Sequence, residues 1–168
     1  MKFFSKHALN PGAALCGLYA IQAVIGYEWL HGGLGKIEGG TFATGLGKTL
    51  GVFAANNPLP WMKQFLLGGA TENALALGYA IEWGELAVGV ALIASLVIFW
   101  LSRSVQLETW ARAILVLALV GGMFMSATFY FAAGWMSPST AGVNMIMFWV
   151  QAALLIVHIS FLTQKSTT

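Results

Sequence analysis

The sequence predicts an all-α protein, a four-helix transmembrane bundle that forms a single membrane domain over residues 1–168. Of its 168 residues 58% are hydrophobic and only 8% are charged, and the mean hydropathy is +0.78. A soluble domain carries about a quarter charged residues, so this chain has too little polar surface to cover a globule in water. Four apolar stretches are each close to the ~20 residues that cross a bilayer core.

The four apolar stretches define the predicted transmembrane helices, which are residues 13–34, 75–101, 114–135 and 143–162. The first stretch is too long for the apolar part of a signal peptide, and Gln22, Tyr27 and Glu28 interrupt its second half. We therefore predict that it is a retained helix. The glycines at positions 78, 84, 89, 121 and 122 favour close packing between helices.

One long connection, residues 35–73, joins the first two predicted helices. Its segments TFATGLGKTLGVFA and PWMKQFLLG have the composition of short amphipathic helices that lie at a membrane interface. The run NNPLP, residues 56–60, predicts a turn between them. Trp61 follows that turn, and tryptophan is enriched at membrane–water interfaces.

The positions of Lys and Arg predict the orientation of the bundle. In a four-helix topology, the two terminal segments and the connection between helices two and three lie on the same side of the membrane. These segments contain or adjoin the positive residues Lys2, Lys6, Arg103, Arg112 and Lys165. The turn at residues 136–140 has no charge, whereas three lysines in residues 35–73 reduce the contrast. Because Lys and Arg concentrate in cytoplasmic segments, both termini are predicted to be cytoplasmic and residues 35–73 to lie outside.

This topology brings most of the unusual polar residues to the outer end. Glu28 and His31 are three residues apart on the first helix, Glu82 and Glu85 are three apart on the second, and residues at that spacing share a helix face. An ionisable side chain at membrane depth is costly and usually faces a partner inside the bundle. We therefore expect these four residues to face one another, and we expect nothing comparable in the inner half.

Other residues at the outer end complete the predicted site, and they are Lys36, Tyr130, Trp135, Asn144 and Met145. A simpler interpretation stays open for several of them. Glu28 and Lys36 are equally compatible with side chains that extend to the interface, and His31 with a hydrogen-bonded interfacial histidine.

Motifs of soluble enzymes are absent from the sequence. The run GLGKT at residues 45–49 resembles the end of a phosphate-binding loop, but position 42 is Phe42 where the first glycine is required. Cys16 is the single cysteine, so no disulfide forms within the chain, and we expect it to be a small buried side chain. The sequence indicates no intrinsic metal or flavin site and no nucleic-acid surface.

Several segments together resemble the DoxX/DoxD membrane family. Residues 27–36, YEWLHGGLGK, resemble the start of the family, and residues 84–89, GELAVG, match its GE-x-x-x-G pattern. Residues 57–65 and 135–144, the latter WMSPSTAGVN, are closer to the DoxD branch. The resemblance covers residues 13–162 and implies a four-helix bundle in the inner membrane of a prokaryote.

For the DoxD branch, the resemblance implies a membrane subunit of thiosulfate:quinone oxidoreductase. Thiosulfate would be oxidised to tetrathionate at the outer face, a membrane quinone would be the co-substrate, and a DoxA-like subunit would be the partner. Glu85, Glu82 and Glu28 would then handle the protons of quinone reduction. The residues expected to bind the substrate or the quinone are His31, Lys36, Tyr130, Trp135 and Asn144.

Two other classes of function stay open. The apolar composition suits a non-catalytic accessory or assembly subunit of a larger membrane complex equally well. A carrier for a small solute is less favoured, because no pair of broken-helix repeats is visible in the sequence.

Overall fold

Four long helices dominate the structure, a computed structural model that describes residues 11–165. The six α-helices are α1 (Pro11–Gly39), α2 (Phe42–Ala55), α3 (Pro60–Phe65), α4 (Ala74–Leu101), α5 (Val105–Ala133) and α6 (Pro138–Lys165). By length and composition, α1, α4, α5 and α6 are each able to cross a membrane. The predicted fold class is confirmed, and the chain is a multi-pass membrane protein.

The long helices begin before the apolar stretches that predicted them, most clearly at the start of α5. This helix begins at Val105, nine residues before the apolar stretch, because the Ser104 hydroxyl caps it by accepting the Leu107 N–H at 3.3 Å. Arg112 was expected to flank the turn between the second and third transmembrane helices. It instead lies seven residues inside α5, where its side chain is buried.

Two glycines allow α1 and α4 to lie in close contact. A Cβ built on Gly33 would be 2.5 Å from the backbone nitrogen of Leu86. A Cβ built on Gly89 would be 2.5 Å from the backbone nitrogen of Leu30. Because neither position has room for a methyl group, the two helices meet backbone to backbone along this line.

Other glycines have different surroundings. Gly78 lies against the backbone of Ala43 in α2, and Gly122 lies against the side-chain amide of Gln151 in α6. The prediction of close packing is therefore confirmed for Gly78, Gly89 and Gly122. It is wrong for Gly121, since a Cβ there would meet nothing within 4 Å.

The connection between α1 and α4 forms a cap on one end of the bundle. It contains α2, α3 and one π-helical turn, Leu66–Ala70, so the two short helices predicted there are confirmed. Asn57 attaches the cap to α5, because its Nδ2 donates to the carbonyls of Phe131 and Ala132 at 3.1 and 3.0 Å. Its Oδ1 accepts the Leu59 N–H at 3.0 Å, which fixes the turn between α2 and α3.

Two apolar clusters form the core. The first lies between the long helices and contains Ile25, Trp29, Val88, Leu92, Leu115, Leu119 and Leu154. The second lies under the cap and contains Leu46, Leu50, Ala54, Met62, Leu66, Ala70 and Ala132. The cap therefore has an apolar core of its own and packs as part of the fold.

We predict that Gly89→Ala lowers the free energy of unfolding by about 2 kcal/mol, because the new methyl group collides with the Leu30 backbone. Gly121→Ala is the matched control. It adds the same methyl group to a helical glycine in open space, and alanine is the better helix former by about 1 kcal/mol. Thermal unfolding of both variants in detergent measures the difference. Equal loss in the two variants would contradict the close packing of α1 and α4.

Candidate functional site

An ion pair between α1 and α4 is the centre of the candidate site. Lys36, in the last turns of α1, approaches Glu85 of α4 with 2.5 Å between Nζ and Oε2. Glu85 is 3% exposed and Lys36 is 27% exposed, so the carboxylate is sequestered and the ammonium group is the part nearer to the surface. The Lys36 ammonium also lies 5.3 Å from the centre of the Phe42 ring at the start of α2.

The close contact of α1 and α4 creates this pair. A Cβ built on Gly32 would be 3.0 Å from Glu85 Oε2, so the glycine leaves the space that the carboxylate occupies. The next residue, Gly33, brings the two backbones together at Leu86, one position beyond Glu85. Residues 27–36 and 84–89, which carry the family resemblance, therefore pack against each other.

The remaining acidic residues and His31 divide between the interior and the surface. Glu82 is buried on the same face of α4 as Glu85, one turn earlier, as predicted. Glu28 and His31 are exposed, so the prediction that all four residues face one another is wrong for these two. The buried face of α1 contains Gln22, Ile25 and Trp29 instead. The three-residue spacing of Glu28 and His31 shows that they share a face, but not whether that face is buried.

Tyr130 and Asn144 line a cleft of about 180 Å³ between α5 and α6. Four of the eight lining residues are aromatic, and the full lining is Ser126, Ala127, Tyr130, Phe131, Asn144, Met145, Phe148 and Trp149. Asn144 Nδ2 donates to the Thr140 carbonyl at 2.9 Å, which holds the amide in place. Trp135 lies in a second cleft, which is bounded by Tyr130 on one side and by Pro58 and Leu59 of the cap on the other.

The cleft and the ion pair lie at the same level of the bundle. The indole Nε1 of Trp29 donates to Gln151 Oε1 at 3.1 Å, and this contact aligns α1 with the antiparallel α6. Lys36 is seven residues after Trp29 and Asn144 is seven residues before Gln151, so both lie about 10 Å from that contact in the same direction. No hydrogen bond or ion pair among the described residues joins the two features, which are separate parts of one end of the bundle.

A buried polar network occupies the opposite end. Arg112 Nη1 lies 2.9 Å from His158 Nδ1, and because a guanidinium group only donates, Nδ1 accepts. The ring proton is therefore on Nε2, which donates to Gln22 Oε1 at 3.0 Å. Gln22 Nε2 donates in turn to the Leu92 carbonyl and to Ser95 Oγ, both at 2.9 Å. This chain of hydrogen bonds joins α5, α6, α1 and α4.

The environment of Arg112 is mainly aromatic. The centre of its guanidinium group lies 4.5 Å from the Phe99 ring and 4.8 Å from the Phe161 ring. Its Nε is buried without a hydrogen-bond partner among the described residues. The expectation that the inner half has no comparable polar group is therefore wrong.

Sequence reasoning missed this network because its members lie on four different helices. Gln22, Ser95, Arg112 and His158 share no spacing along the chain, so no motif connects them. The signal that was available was the presence of each polar side chain in or beside an apolar stretch, where it needs a partner. Cys16 was also placed wrongly, because it is exposed rather than buried.

The described residues contain no group of three or more His, Cys, Asp or Glu side chains that could hold a metal ion. Comparisons of the chain with protein-family models, with curated proteins and with solved structures found no match. Assignment to the DoxX/DoxD family therefore stays a prediction based on residues 27–36, 57–65, 84–89 and 135–144.

We predict that Lys36→Met lowers the free energy of unfolding by about 3 kcal/mol, because it leaves the Glu85 carboxylate buried without its partner. The double variant Lys36→Met, Glu85→Leu removes both charges and should recover most of that loss. Lys63→Met is the control, since Lys63 is exposed and its substitution should change stability by less than about 0.5 kcal/mol. Additive effects of the two substitutions in thermal unfolding would contradict a coupled ion pair.

Proposed function

We propose that this chain is a DoxD-like membrane subunit of a quinone-linked oxidoreductase in the inner membrane of a prokaryote. One observation carries the proposal: the segments 27–36 and 84–89, on which the family resemblance rests, meet in the structure and form the Lys36–Glu85 ion pair. Burying a charged pair in a membrane protein is unfavourable in free energy. Its position at the contact between the two segments that carry the resemblance therefore favours a functional site.

In the proposed reaction, two thiosulfate ions lose two electrons and join through a new S–S bond to form tetrathionate. A membrane quinone takes up those two electrons and two protons to become a quinol. A DoxA-like partner subunit would take part in electron transfer from thiosulfate. This chain would bind the quinone and supply the protons.

The cleft between α5 and α6 suits the quinone ring. Its aromatic walls include Trp149, which is 63% exposed on the outer surface of the bundle, so the cleft is accessible from the bilayer. The Tyr130 hydroxyl makes no hydrogen bond to another described residue, and it would donate to a quinone carbonyl. Asn144 would bound the ring from α6 at the same level.

Glu85 does not line the cleft, so it would pass protons to the quinone through intervening water, with Glu82 one turn away as a second carboxyl group. Lys36 would hold Glu85 in place and link it to the surface beside α2, because the ammonium group is the partly exposed member of the pair. Glu28 and His31 have no part in this relay, since both lie on the outside of α1.

A non-catalytic accessory or assembly subunit is the second candidate. The observation that favours it is the hydrogen-bond network of Gln22, Ser95, Arg112 and His158, which joins all four long helices. A network of this kind suits a rigid scaffold inside a larger complex.

The activity is tested by thiosulfate-dependent reduction of a water-soluble quinone in membranes that contain the protein, with and without a DoxA-like partner. We expect Glu85→Gln to lower kcat about 100-fold, because the amide keeps the shape but cannot take up and release a proton. We expect Tyr130→Phe to raise the KM for quinone, because the ring loses a hydrogen bond. Glu72→Gln, at an exposed glutamate between the π-helical turn and α4, is the control and should be unchanged.

Two results would count against this assignment. Wild-type membranes that are inactive with every partner and quinone would favour the accessory subunit. Full activity of the Glu85→Gln protein would keep the enzyme and exclude this residue from the mechanism.

The proposed orientation has both termini and the α4–α5 turn in the cytoplasm and the α2–α3 cap outside. We expect cysteines at positions 48 and 138 to react with a membrane-impermeant reagent from the outside, and a cysteine at position 103 only after the membrane is opened. A Cys16→Ala background is needed because Cys16 is exposed. Labelling of position 138 from the cytoplasmic side alone would reverse the orientation.

A further inference from the structure

The outer face of α1 carries a continuous exposed stripe at alternating spacings of four and three residues. We define the α1 stripe as Gly17, Ile21, Val24, Glu28, His31 and Gly35, all of which are exposed. This is the heptad spacing with which one helix packs along another. A Cβ built on Gly17 or Gly35 would meet nothing within 4 Å, so packing inside the chain does not explain either glycine.

Two members of the stripe are ionisable. They were expected at the outer end of the first helix, but α1 continues to Gly39, so Glu28 and His31 lie within six residues of the middle of the candidate span Gly12–Gly39. Glu28 directly precedes Trp29, whose indole bonds Gln151. Gln151 is close to the centre of the candidate span Pro138–Thr163 of α6. An ionisable side chain that faces hydrocarbon at this depth costs several kcal/mol, so Glu28 and His31 need a neighbour.

The described residues provide no polar neighbour for this pair. No hydrogen bond or ion pair joins Glu28 to another described residue, and His31 stacks on Tyr27 with ring centres 5.7 Å apart. In contrast, Glu82, Glu85, Arg112 and His158 on the other long helices are all buried. Glu28 and His31 are therefore exposed ionisable side chains that lie away from the ends of a long helix.

We propose that the occupant of the α1 stripe is a second copy of this chain, packed around a twofold axis parallel to α1. Glu28 and His31 are separated by about 60° around the helix axis and by about 4.5 Å along it. A twofold axis through the stripe brings Glu28 of each copy beside His31 of the other, which gives two reciprocal acid–imidazole contacts. The acid and the base on one stripe make it complementary to itself, and Gly17 and Gly35 allow the helices to approach closely.

Disulfide cross-linking tests the surface in the full chain in native membranes, in a Cys16→Ala background. The test variant is Val24→Cys, at the centre of the stripe, and the matched control is Ile156→Cys on α6. The contacts Gln22–His158 and Trp29–Gln151 place residues 24 and 156 at the same level, and the two side chains are 60% and 70% exposed. We expect oxidation to convert the Val24→Cys protein to a covalent dimer at least tenfold more than the control.

Complementation tests the pairing itself. Glu28→Ala homodimers and His31→Ala homodimers each lose both contacts, whereas a mixed dimer of one copy of each keeps one. When the two variants carry different tags and are produced together, we expect mixed dimers to exceed the statistical ratio about fivefold. Both substitutions are at exposed positions, so both proteins should fold.

Three results would overturn the proposal. The first is equal cross-linking of Val24→Cys and Ile156→Cys, which would indicate random collision in the membrane. The second is cross-linking of Val24→Cys to a different protein, which would assign the stripe to another subunit. The third is a statistical ratio of mixed dimers, which would exclude the Glu28–His31 pairing.

Discussion

The close contact between α1 and α4 determines the arrangement of the other functional features. Gly33 against Leu86 and Gly89 against Leu30 allow the two backbones to touch, and this fixes both the rotation and the level of α1. That rotation places Lys36 on Glu85 and directs Trp29 and Gln22 toward α6 and α4. It also leaves Glu28 and His31 on the outside. A larger side chain at either glycine would disturb the ion pair and the exposed stripe together.

The hydrocarbon environment explains why the buried polar groups occur in connected sets. A polar side chain in a membrane has no water to bind, so it needs a partner on another helix. The Trp29–Gln151 contact continues to Ser126, since Gln151 Nε2 lies 3.3 Å from Ser126 Oγ, and it ties α1, α6 and α5 near their centres. The Lys36–Glu85 pair and the Arg112–His158 network lie on opposite sides of this contact. Hydrogen bonds or an ion pair therefore connect the helices at three levels of the bundle.

The fold class could be predicted from the sequence because the length and hydropathy of each segment decide whether that segment is a membrane-spanning helix. Length and hydropathy predicted four spans, and NNPLP predicted the turn between α2 and α3. The candidate site needed information about rotation, which is not local. Glu28 with His31, and Glu82 with Glu85, have the same spacing, yet the second pair faces inward and the first faces outward. Only the surroundings of Gly33 and Gly89 decide between these outcomes, and sequence spacing cannot show which partner a glycine meets.

The same rotation separates two kinds of ionisable residue. Glu85 has its partner in the same chain, so the unfavourable free energy of its charge in the membrane is offset when the monomer folds. Glu28 has no such partner among the described residues, so the unfavourable free energy of exposing it to hydrocarbon is offset only when another molecule covers α1. A folded monomer can therefore contain the α5–α6 cleft and the ion pair and still have an exposed face whose ionisable side chains lack partners. Assembly and chemistry would then be separable, because they use opposite faces of one helix.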